Sequence, residues 1–192
     1  MPLLIIGLLL FLGAHSVSII NSPWRDRMVA RIGLVPWQGL FGVVALTGLV
    51  LIVLGYGMAR DALDPVVLYD PPTWTRHLNL LLMLPVFPLL LAAYMPGRIQ
   101  RAVKHPMLLA VKIWAFGHLL ANGTLADVLL FGSFLAWAVA DRISLKRRTP
   151  IPVHGAPPGA KNDLIAVLGG LLIYLAFLSF LHRWLIGVSP LA

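Results

Sequence analysis

Six apolar segments alternate with five hydrophilic breaks, and this alternation constrains the fold more than any other feature of the chain. The segments are Pro2–Ile20, Pro36–Tyr56, His77–Met95, Pro106–Ala121, Leu125–Ala140 and Asp163–Ile186. A helix needs about 20 predominantly apolar residues to span the hydrocarbon core of a bilayer, and most of the segments approach that length. The sequence therefore predicts an all-α membrane protein, built as a bundle of six transmembrane helices. The fourth and fifth segments are shorter and are expected to tilt little or to borrow their flanks.

Cationic residues mark every second break. Eleven of the fifteen Lys and Arg residues lie in the first, third and fifth breaks, whereas the second break balances two arginines with three aspartates. The eleven are Arg25, Arg27, Arg31, Arg98, Arg101, Lys104, Arg142, Lys146, Arg147, Arg148 and Lys161. Short cationic loops stay in the cytoplasm, so we expect these three breaks inside and both termini in the periplasm. Only a count of six spans makes the charge alternate in this way.

Composition excludes several other classes of protein. Hydrophobic residues make up 59% of the chain and charged residues 11%, whereas soluble domains carry about 25% charged residues. The net charge of +8 lies in short juxtamembrane clusters that anionic lipid can satisfy, which favours membrane lipid over nucleic acid as the partner. The chain has no cysteine, and aspartate is its only acidic residue type. These absences exclude haem c, iron–sulfur clusters and glutamate-based di-iron sites.

The chain is expected to form a single domain over residues 1–192, interrupted by one Pro- and Gly-rich stretch. Thr149–Gly159 is typical of a flexible cytoplasmic linker, about 149–160, ahead of the last helix. In the turn before the fifth segment, Thr124 and Asp127 have the spacing of a capping box. Lys161–Asp163 offers a polar cap for the last helix.

The six histidines are the residues best suited to metal or proton chemistry. His15 and His118 lie well inside the first and fourth segments, where an ionisable side chain is costly and therefore a candidate for function. The other four lie at segment starts, in the linker or near the outer end of the last segment: His77, His105, His154 and His182. Alternatively, His15 is neutral and bonded to Ser18 or to a carbonyl. For His105 the alternative is a helix-start position before Pro106.

Two neutral imidazoles from different helices are a usual pair of axial ligands for haem b. His105 and His118 lie about 20 Å apart along one helix, so they cannot ligate the same metal. Lys112 is the only Lys or Arg deep in a segment. It would snorkel to the interface, meet an acid such as Asp141, or neutralise a haem propionate. The candidate propionate contacts are Arg76, Arg98, Arg101, Lys112 and Arg142.

The chain resembles the NnrU family over nearly its whole length. The stretches that carry the resemblance are Leu12–Ser16, Tyr69–His77, Arg101–Leu109, Trp114–Gly123, Phe131–Trp137 and Asp141–Arg142. Proteins of this family are associated with bacterial denitrification and with obtaining active nitrite and nitric oxide reductases. The family is also similar to the plant 15-cis-ζ-carotene isomerase, a membrane protein with bis-histidine haem b. The resemblance implies that His15 and His118 hold the haem. At the position of Ala115 the isomerase has a cysteine, and this chain has no cysteine.

The predicted topology sets these two histidines at different depths in the bilayer. His15 falls in the cytoplasmic half of the first span and His118 in the periplasmic half of the fourth, an offset of about 10 Å at the rise of an α-helix. A tilted haem would bridge this offset. The depth-matched alternative to His15 is His77, near the outer end of the third span.

The resemblance implies a multi-pass protein of the bacterial inner membrane that binds haem b and acts in nitrogen-oxide metabolism by redox or isomerase-like chemistry. One alternative is a non-catalytic membrane assembly or maturation factor for nitric oxide reductase. Another is a haem-dependent cis–trans isomerase of a carotenoid-like polyene. The expected partners are membrane lipid, nitric oxide reductase or another redox membrane protein, and a lipophilic small molecule.

The charge alternation generates a direct test of orientation. Because the fifth break is predicted to be cytoplasmic, protease added to intact spheroplasts should leave Thr149–Lys161 uncut and should cleave it after the membrane is permeabilised. Cleavage of intact spheroplasts within this stretch, read by mass spectrometry of the fragments, would invert the predicted topology.

Overall fold

The structure is a computed structural model that describes residues 1–149 and 155–191. Within these residues the regular elements are helical, apart from one isolated bridge between Val67 and Thr124, which confirms the all-α prediction. The helices are α1 (Pro2–Ile32), α2 (Leu34–Arg60), α3 (Trp74–Met83), α4 (Val86–Tyr94), α5 (Arg98–Val103), α6 (Pro106–Ala121), α7 (Leu125–Ser144), α8 (Asn162–Ala176) and α9 (His182–Ile186). A five-residue π-helical stretch, Phe177–Leu181, joins α8 to α9.

All six predicted apolar segments are helical, but they differ in length. Within residues 1–149 and 155–191, four stretches are long and apolar enough to cross a membrane: Pro2–Ile32, Leu34–Arg60, Trp74–Tyr94 and Asn162–Ile186. By contrast, α6 has 16 residues, and Asp127 and Asp141 restrict the uncharged part of α7 to residues 128–140. Both fall short of the about 20 residues of a full span. The chain is therefore compatible with a multi-pass membrane protein, while the six-span count and the periplasmic termini stay predictions.

Large apolar side chains cover much of the outer surface of these helices. Leu9 is 69% exposed, Ile20 81% and Leu172 67%. Soluble monomers rarely expose contiguous apolar surface on this scale, because water penalises it. Hydrocarbon carries no such penalty, so the surface suits helices that face lipid.

The first cationic break differs from the loop that the sequence suggested, because it is helical. The backbone of Asn21 leaves the helical region within α1 (φ −150°, ψ 75°), and its side-chain oxygen accepts a hydrogen bond from the Trp24 N–H at 2.9 Å. Asn21 therefore acts as the N-cap of a second helical stretch, in which Pro23 occupies an early position that tolerates proline. The apolar part of α1 ends at Ile20, as predicted.

The chain divides into two compact units. Unit 1 comprises residues 1–69 and 123–149, and unit 2 comprises residues 70–122 and 150–192, of which 150–154 and 192 are outside the described residues. The single-domain prediction for residues 1–192 is not tested by this division and stays a prediction.

In unit 1 the backbones of α1 and α2 approach closely at glycines. A Cβ atom added to Gly55 would lie 2.2 Å from the amide nitrogen of Leu4, and one added to Gly7 would lie 2.6 Å from that of Ile52. A Cβ atom added to Gly48 would lie 2.7 Å from the amide nitrogen of Phe11. Small residues at such crossings let membrane helices gain van der Waals contact that larger side chains would prevent. These glycines thus determine how α1 packs on α2.

Helix α7 also packs in unit 1 and runs parallel to α1. Phe134 contacts Phe11 with ring centroids 5.6 Å apart, and three residues further on Trp137 contacts His15. Positions therefore advance in the same direction along both helices. In a chain that crosses the membrane six times, the first and fifth spans run in the same direction, so this packing agrees with the predicted topology. It does not establish the number of spans.

The start of α7 is held by the predicted capping box. The Asp127 N–H donates to Thr124 Oγ1, and the Thr124 N–H donates to Asp127 Oδ2 at 2.9 Å. Asp127 is 5% exposed, and its Oδ1 accepts a 2.6 Å hydrogen bond from the Tyr56 hydroxyl of α2. Burial of the Tyr69 phenol, with the nearby charge of Asp127, raises the pKa of Tyr69. The carboxylate thus fastens two helices of unit 1 at one end.

In unit 2, α4 packs on α6 and α8. A Cβ atom added to Gly170 would lie 2.3 Å from the nitrogen of Pro88, so α8 crosses α4 at close range. The Tyr174 hydroxyl donates to the Leu80 carbonyl at 3.0 Å. An apolar core cluster around Val86, Leu89 and Ala110 joins α4 to α6.

The polar residues at the start of α8, Lys161 to Asp163, do not cap that helix as predicted. No side-chain cap bond forms at Lys161. Instead, the Asp163 carboxylate accepts hydrogen bonds from the backbone N–H groups of Arg98 (2.7 Å) and Ile99 (3.0 Å) at the start of α5. The Asn162 amide donates to the carbonyls of Pro96 and Pro157. These side chains therefore satisfy a neighbouring segment distant in sequence, which local spacing could not reveal.

The glycine crossing in unit 1 generates a stability prediction with a matched control. We expect Gly55→Ala to cost about 1–3 kcal/mol, because the added methyl group overpacks a backbone contact. Gly57→Ala, two residues away, meets nothing within 4 Å and should be neutral or gain up to about 1 kcal/mol from helix propensity. The measurement is thermal unfolding in detergent. Equal midpoints for the two variants would contradict the close crossing.

Candidate functional site

His15 lies in unit 1 within a group of aromatic side chains from three helices. Its ring stacks on Phe11 of α1 at 4.3 Å between centroids and meets Phe41 of α2 edge-on at 4.9 Å. Trp137 of α7 approaches edge-on at 5.9 Å. We call these three residues the aromatic group of His15. They give the imidazole flat, apolar neighbours of the kind that line porphyrin pockets.

The hydrogen bond of His15 defines its tautomer. Nδ1 lies 2.7 Å from the Phe11 carbonyl oxygen, one helical turn earlier. A carbonyl oxygen only accepts, so Nδ1 carries the proton and the Nε2 lone pair is available as an acceptor or metal ligand. Metal-binding histidines are commonly oriented in this way by a carbonyl on the other ring nitrogen. The bond goes to a carbonyl rather than to Ser18, the other partner considered from the sequence.

Trp137 adds an unsatisfied donor beside His15. Among the residues that the structure describes, only Trp137 Nε1 and Asn79 Oδ1 are buried side-chain nitrogen or oxygen atoms without a hydrogen-bond partner. The indole N–H can only donate, and an unpaired buried polar group costs about 1–3 kcal/mol. In hydrocarbon no water is available to satisfy it. The indole is thus suited to a bound group that supplies an acceptor.

His118 lies in unit 2 on α6 and repeats the local arrangement of His15. Its Nδ1 lies 2.8 Å from the Trp114 carbonyl oxygen, again one turn earlier, so the proton is on Nδ1 and the lone pair on Nε2. The Trp114 ring lies 5.4 Å from the His118 ring.

Asn79 of α3 faces the residue before His118. A Cβ atom added to Gly117 would lie 2.4 Å from Asn79 Oδ1, so the absence of a side chain at Gly117 makes room for the amide. The buried Oδ1 is the second unsatisfied atom. Unit 2 therefore has a buried acceptor next to the histidine of α6, where unit 1 has a buried donor beside the histidine of α1.

The other predicted site residues lie at helix ends or on exposed faces. His77 and Arg76 are exposed in the first turn of α3, and Arg98 and Arg101 are exposed on α5. Lys112 is half-buried in the middle of α6, and Arg142 is half-buried near the end of α7. Asp141, an acid considered as a partner of Lys112, forms an ion pair with Arg148.

Two of the remaining histidines, His105 and His182, lie at helix starts. His105 precedes α6, which begins at Pro106, so its helix-start position is confirmed. His182 is bonded through Nδ1 to the Val188 carbonyl at 2.7 Å near the end of the chain, and His154 lies outside the described residues. Over residues 1–149 and 155–191 no three His or Asp side chains converge as a metal site. A metal held by the described residues would therefore have one or two His or Asp ligands from them.

Sequence reasoning identified both histidines but missed Trp137 and Asn79 as candidates. A signal for Asn79 was present, since it is the one amide within the apolar segment His77–Met95. Trp137 gave none beyond its place in the stretch that carries the family resemblance, because tryptophan is common at membrane interfaces. Only the packing of α7 on α1 shows that its N–H is enclosed beside an imidazole.

These features define the class of protein: in the part of the chain that the structure describes, it is all-helical with four candidate membrane spans. Two histidines within apolar helices share one hydrogen-bond arrangement. The profile of the family described as NnrU protein matches residues 3–190. The chain therefore belongs to the NnrU family, which confirms the resemblance drawn from the motifs. Comparison with curated proteins and with solved structures found no significant match.

The assigned tautomer can be measured. At about pH 8.5, where histidine is ordinarily neutral, nitrogen-15 spectra of histidine-labelled protein in detergent should show His15 with a protonated Nδ1 and an unprotonated Nε2. The His15→Ala variant identifies the resonance by its loss. A protonated Nε2 on His15 would contradict the bond to the Phe11 carbonyl.

Proposed function

We propose that this chain is a haem b-binding protein of the bacterial inner membrane, with Nε2 of His15 and of His118 as the two iron ligands. The observation that carries the proposal is the shared tautomer. Each histidine has its Nδ1 within hydrogen-bond distance of the carbonyl one turn earlier, an arrangement that leaves the lone pair on Nε2, the nitrogen that would ligate the iron. The two residues belong to different units, and their pairing is part of the proposal.

The surroundings of His15 fit a porphyrin. Phe11, Phe41 and Trp137 offer flat apolar surfaces near the imidazole, and the buried indole N–H lacks an acceptor that a porphyrin carboxylate would supply. Two strong-field imidazole ligands leave a haem suited to electron transfer. The protein's own part is to hold the imidazoles in one tautomer, exclude water and place cations near the carboxylates.

Cations of the chain are proposed as propionate partners. Lys112 is half-buried within an apolar helix, where a lone ammonium is costly unless it reaches an anion or the interface. Arg142 is half-buried at the end of α7 in unit 1. Arg76, Arg98 and Arg101 are exposed in unit 2 and would contribute longer-range attraction. His77 stays the alternative ligand to His15.

The role that we propose is in nitrogen-oxide metabolism, by redox or isomerase-like chemistry, with nitric oxide reductase or another redox membrane protein as partner. Membership of the NnrU family supports this role. The alternatives are a maturation factor for nitric oxide reductase and an isomerase of a lipophilic polyene. The three roles differ in whether the protein needs haem for its function. They also differ in which added molecule would change the haem spectrum.

Haem titration of the purified protein tests the binding proposal. Wild type should develop a Soret band with saturable stoichiometry, and His15→Ala and His118→Ala should each lose the low-spin bis-histidine spectrum, because one axial ligand is gone. His182→Ala, which removes an exposed imidazole near the chain end, should match wild type. A stable, colourless wild-type protein after haem-supplemented expression would overturn the proposal and favour the maturation factor.

Complementation tests the role. In a denitrifying strain that lacks this protein, restoration of nitric oxide consumption should require the haem ligands, so His15→Ala should fail where His182→Ala succeeds. Full rescue by a His15→Ala protein that has lost its haem would overturn a redox role. A spectral shift of the loaded protein on adding a cis-polyene, but not its trans form, would favour the isomerase.

A further inference from the structure

Unit 1 encloses one donor that its own fold leaves unused. The indole N–H of Trp137 is buried without an acceptor, although the ring itself packs against His15 at 5.9 Å. Phenylalanine would provide nearly the same apolar plane at this position without the cost of an unpaired donor. The packing of α1, α2 and α7 therefore does not explain the indole, whereas a bound group with an acceptor atom would.

The charges of unit 1 indicate what kind of acceptor this is. Because α1 and α7 run parallel, their C-terminal ends lie at the same end of unit 1. The helical stretch after Asn21 carries Arg27 and Arg31, the last turn of α7 carries Arg142, and the exposed Lys146 follows the end of α7. Trp137 lies seven residues, about two helical turns, before the end of α7 at Ser144, and His15 lies six residues before the break in α1 at Asn21, where the cationic stretch begins.

The positive charge at this end exceeds what the nearby acids neutralise. Asp26 pairs with Arg25, and Asp141 pairs with Arg148, so the acids already have cationic partners. A neutral acceptor would satisfy the indole but would gain nothing from the remaining cations. A carboxylate gains from both, since hydrogen bonds to a charged acceptor are about twice as strong as neutral ones.

We propose that Trp137 is a positioning residue, whose indole N–H donates to a carboxylate of the group that His15 binds, with that carboxylate directed to the cationic end of unit 1. This inference rests on the proposed haem function and deepens it. It assigns the edge of the porphyrin that faces unit 1, and it makes Arg142 a candidate partner of the same carboxylate within unit 1.

The test compares two porphyrins that differ only in the carboxylates. Haem and haem dimethyl ester are titrated into the full-length protein in detergent, for wild type and Trp137→Phe. Wild type should bind haem more tightly than the ester, and Trp137→Phe should lose about tenfold in affinity for haem with little change for the ester. Trp24→Phe, at an exposed residue that packs on Trp37, is the matched control and should behave as wild type.

Thermal unfolding without porphyrin separates binding from folding. Trp137→Phe removes an unsatisfied donor and keeps an aromatic ring, so the ligand-free variant should unfold at the wild-type temperature or above it. If Trp137→Phe without porphyrin is destabilised relative to wild type as much as the porphyrin-bound variant is, the indole N–H stabilises the fold itself. That result would overturn the inference.

The outcomes distinguish this inference from the proposal beneath it. If His15→Ala loses haem while Trp137→Phe binds haem and its ester as wild type does, the haem function stands and the role of Trp137 falls. If Trp137→Phe lowers the affinity for haem and for its dimethyl ester equally, the acceptor of the indole N–H is not a carboxylate. The inference then also falls. If wild type takes up neither porphyrin, the haem function itself fails, and the inference with it.

Discussion

Hydrocarbon offers no hydrogen-bond partners, and most of this structure follows from that constraint. Backbone groups are satisfied within helices. Polar side chains in apolar helices donate to backbone carbonyls one turn earlier in the same helix, as the hydroxyls of Ser16 and Ser179 do. His15 and His118 obey the same constraint, and for them the consequence is chemical. By giving Nδ1–H to a carbonyl, each imidazole is left with one defined acceptor nitrogen.

Close packing of backbones is the second consequence. Water does not drive apolar helices together within a bilayer, so contact must come from shape, and glycines supply it at Gly7, Gly48 and Gly55 in unit 1 and at Gly170 in unit 2. The crossing of α1 on α2 carries His15 towards Phe41, and the packing of α7 on α1 carries Trp137 towards His15. The candidate site is thus a product of helix contacts rather than of a motif.

Local signals in the sequence were reliable where the physics is local. The capping box at Thr124 and Asp127, the helix start at Pro106 and the end of the first apolar helix at Ile20 depend on residues within one or two turns. Asp163 shows the limit of such reasoning, because its carboxylate caps α5, more than sixty residues earlier in the chain. The helical first break shows another limit, since a cationic helix that begins at Asn21 looks the same in sequence as a cationic loop.

The sequence by itself determined an all-helical, membrane-type chain of the NnrU family, with His15 and His118 as the polar residues to explain. It could do so because hydropathy, charge spacing and helix periodicity are properties of neighbouring residues. Only the tertiary structure decided that Asp127 fastens α7 to α2, that Asn79 faces Gly117 and that the Trp137 donor is enclosed beside His15. Each of these depends on which helix faces meet, and that is decided by contacts between residues far apart in the chain.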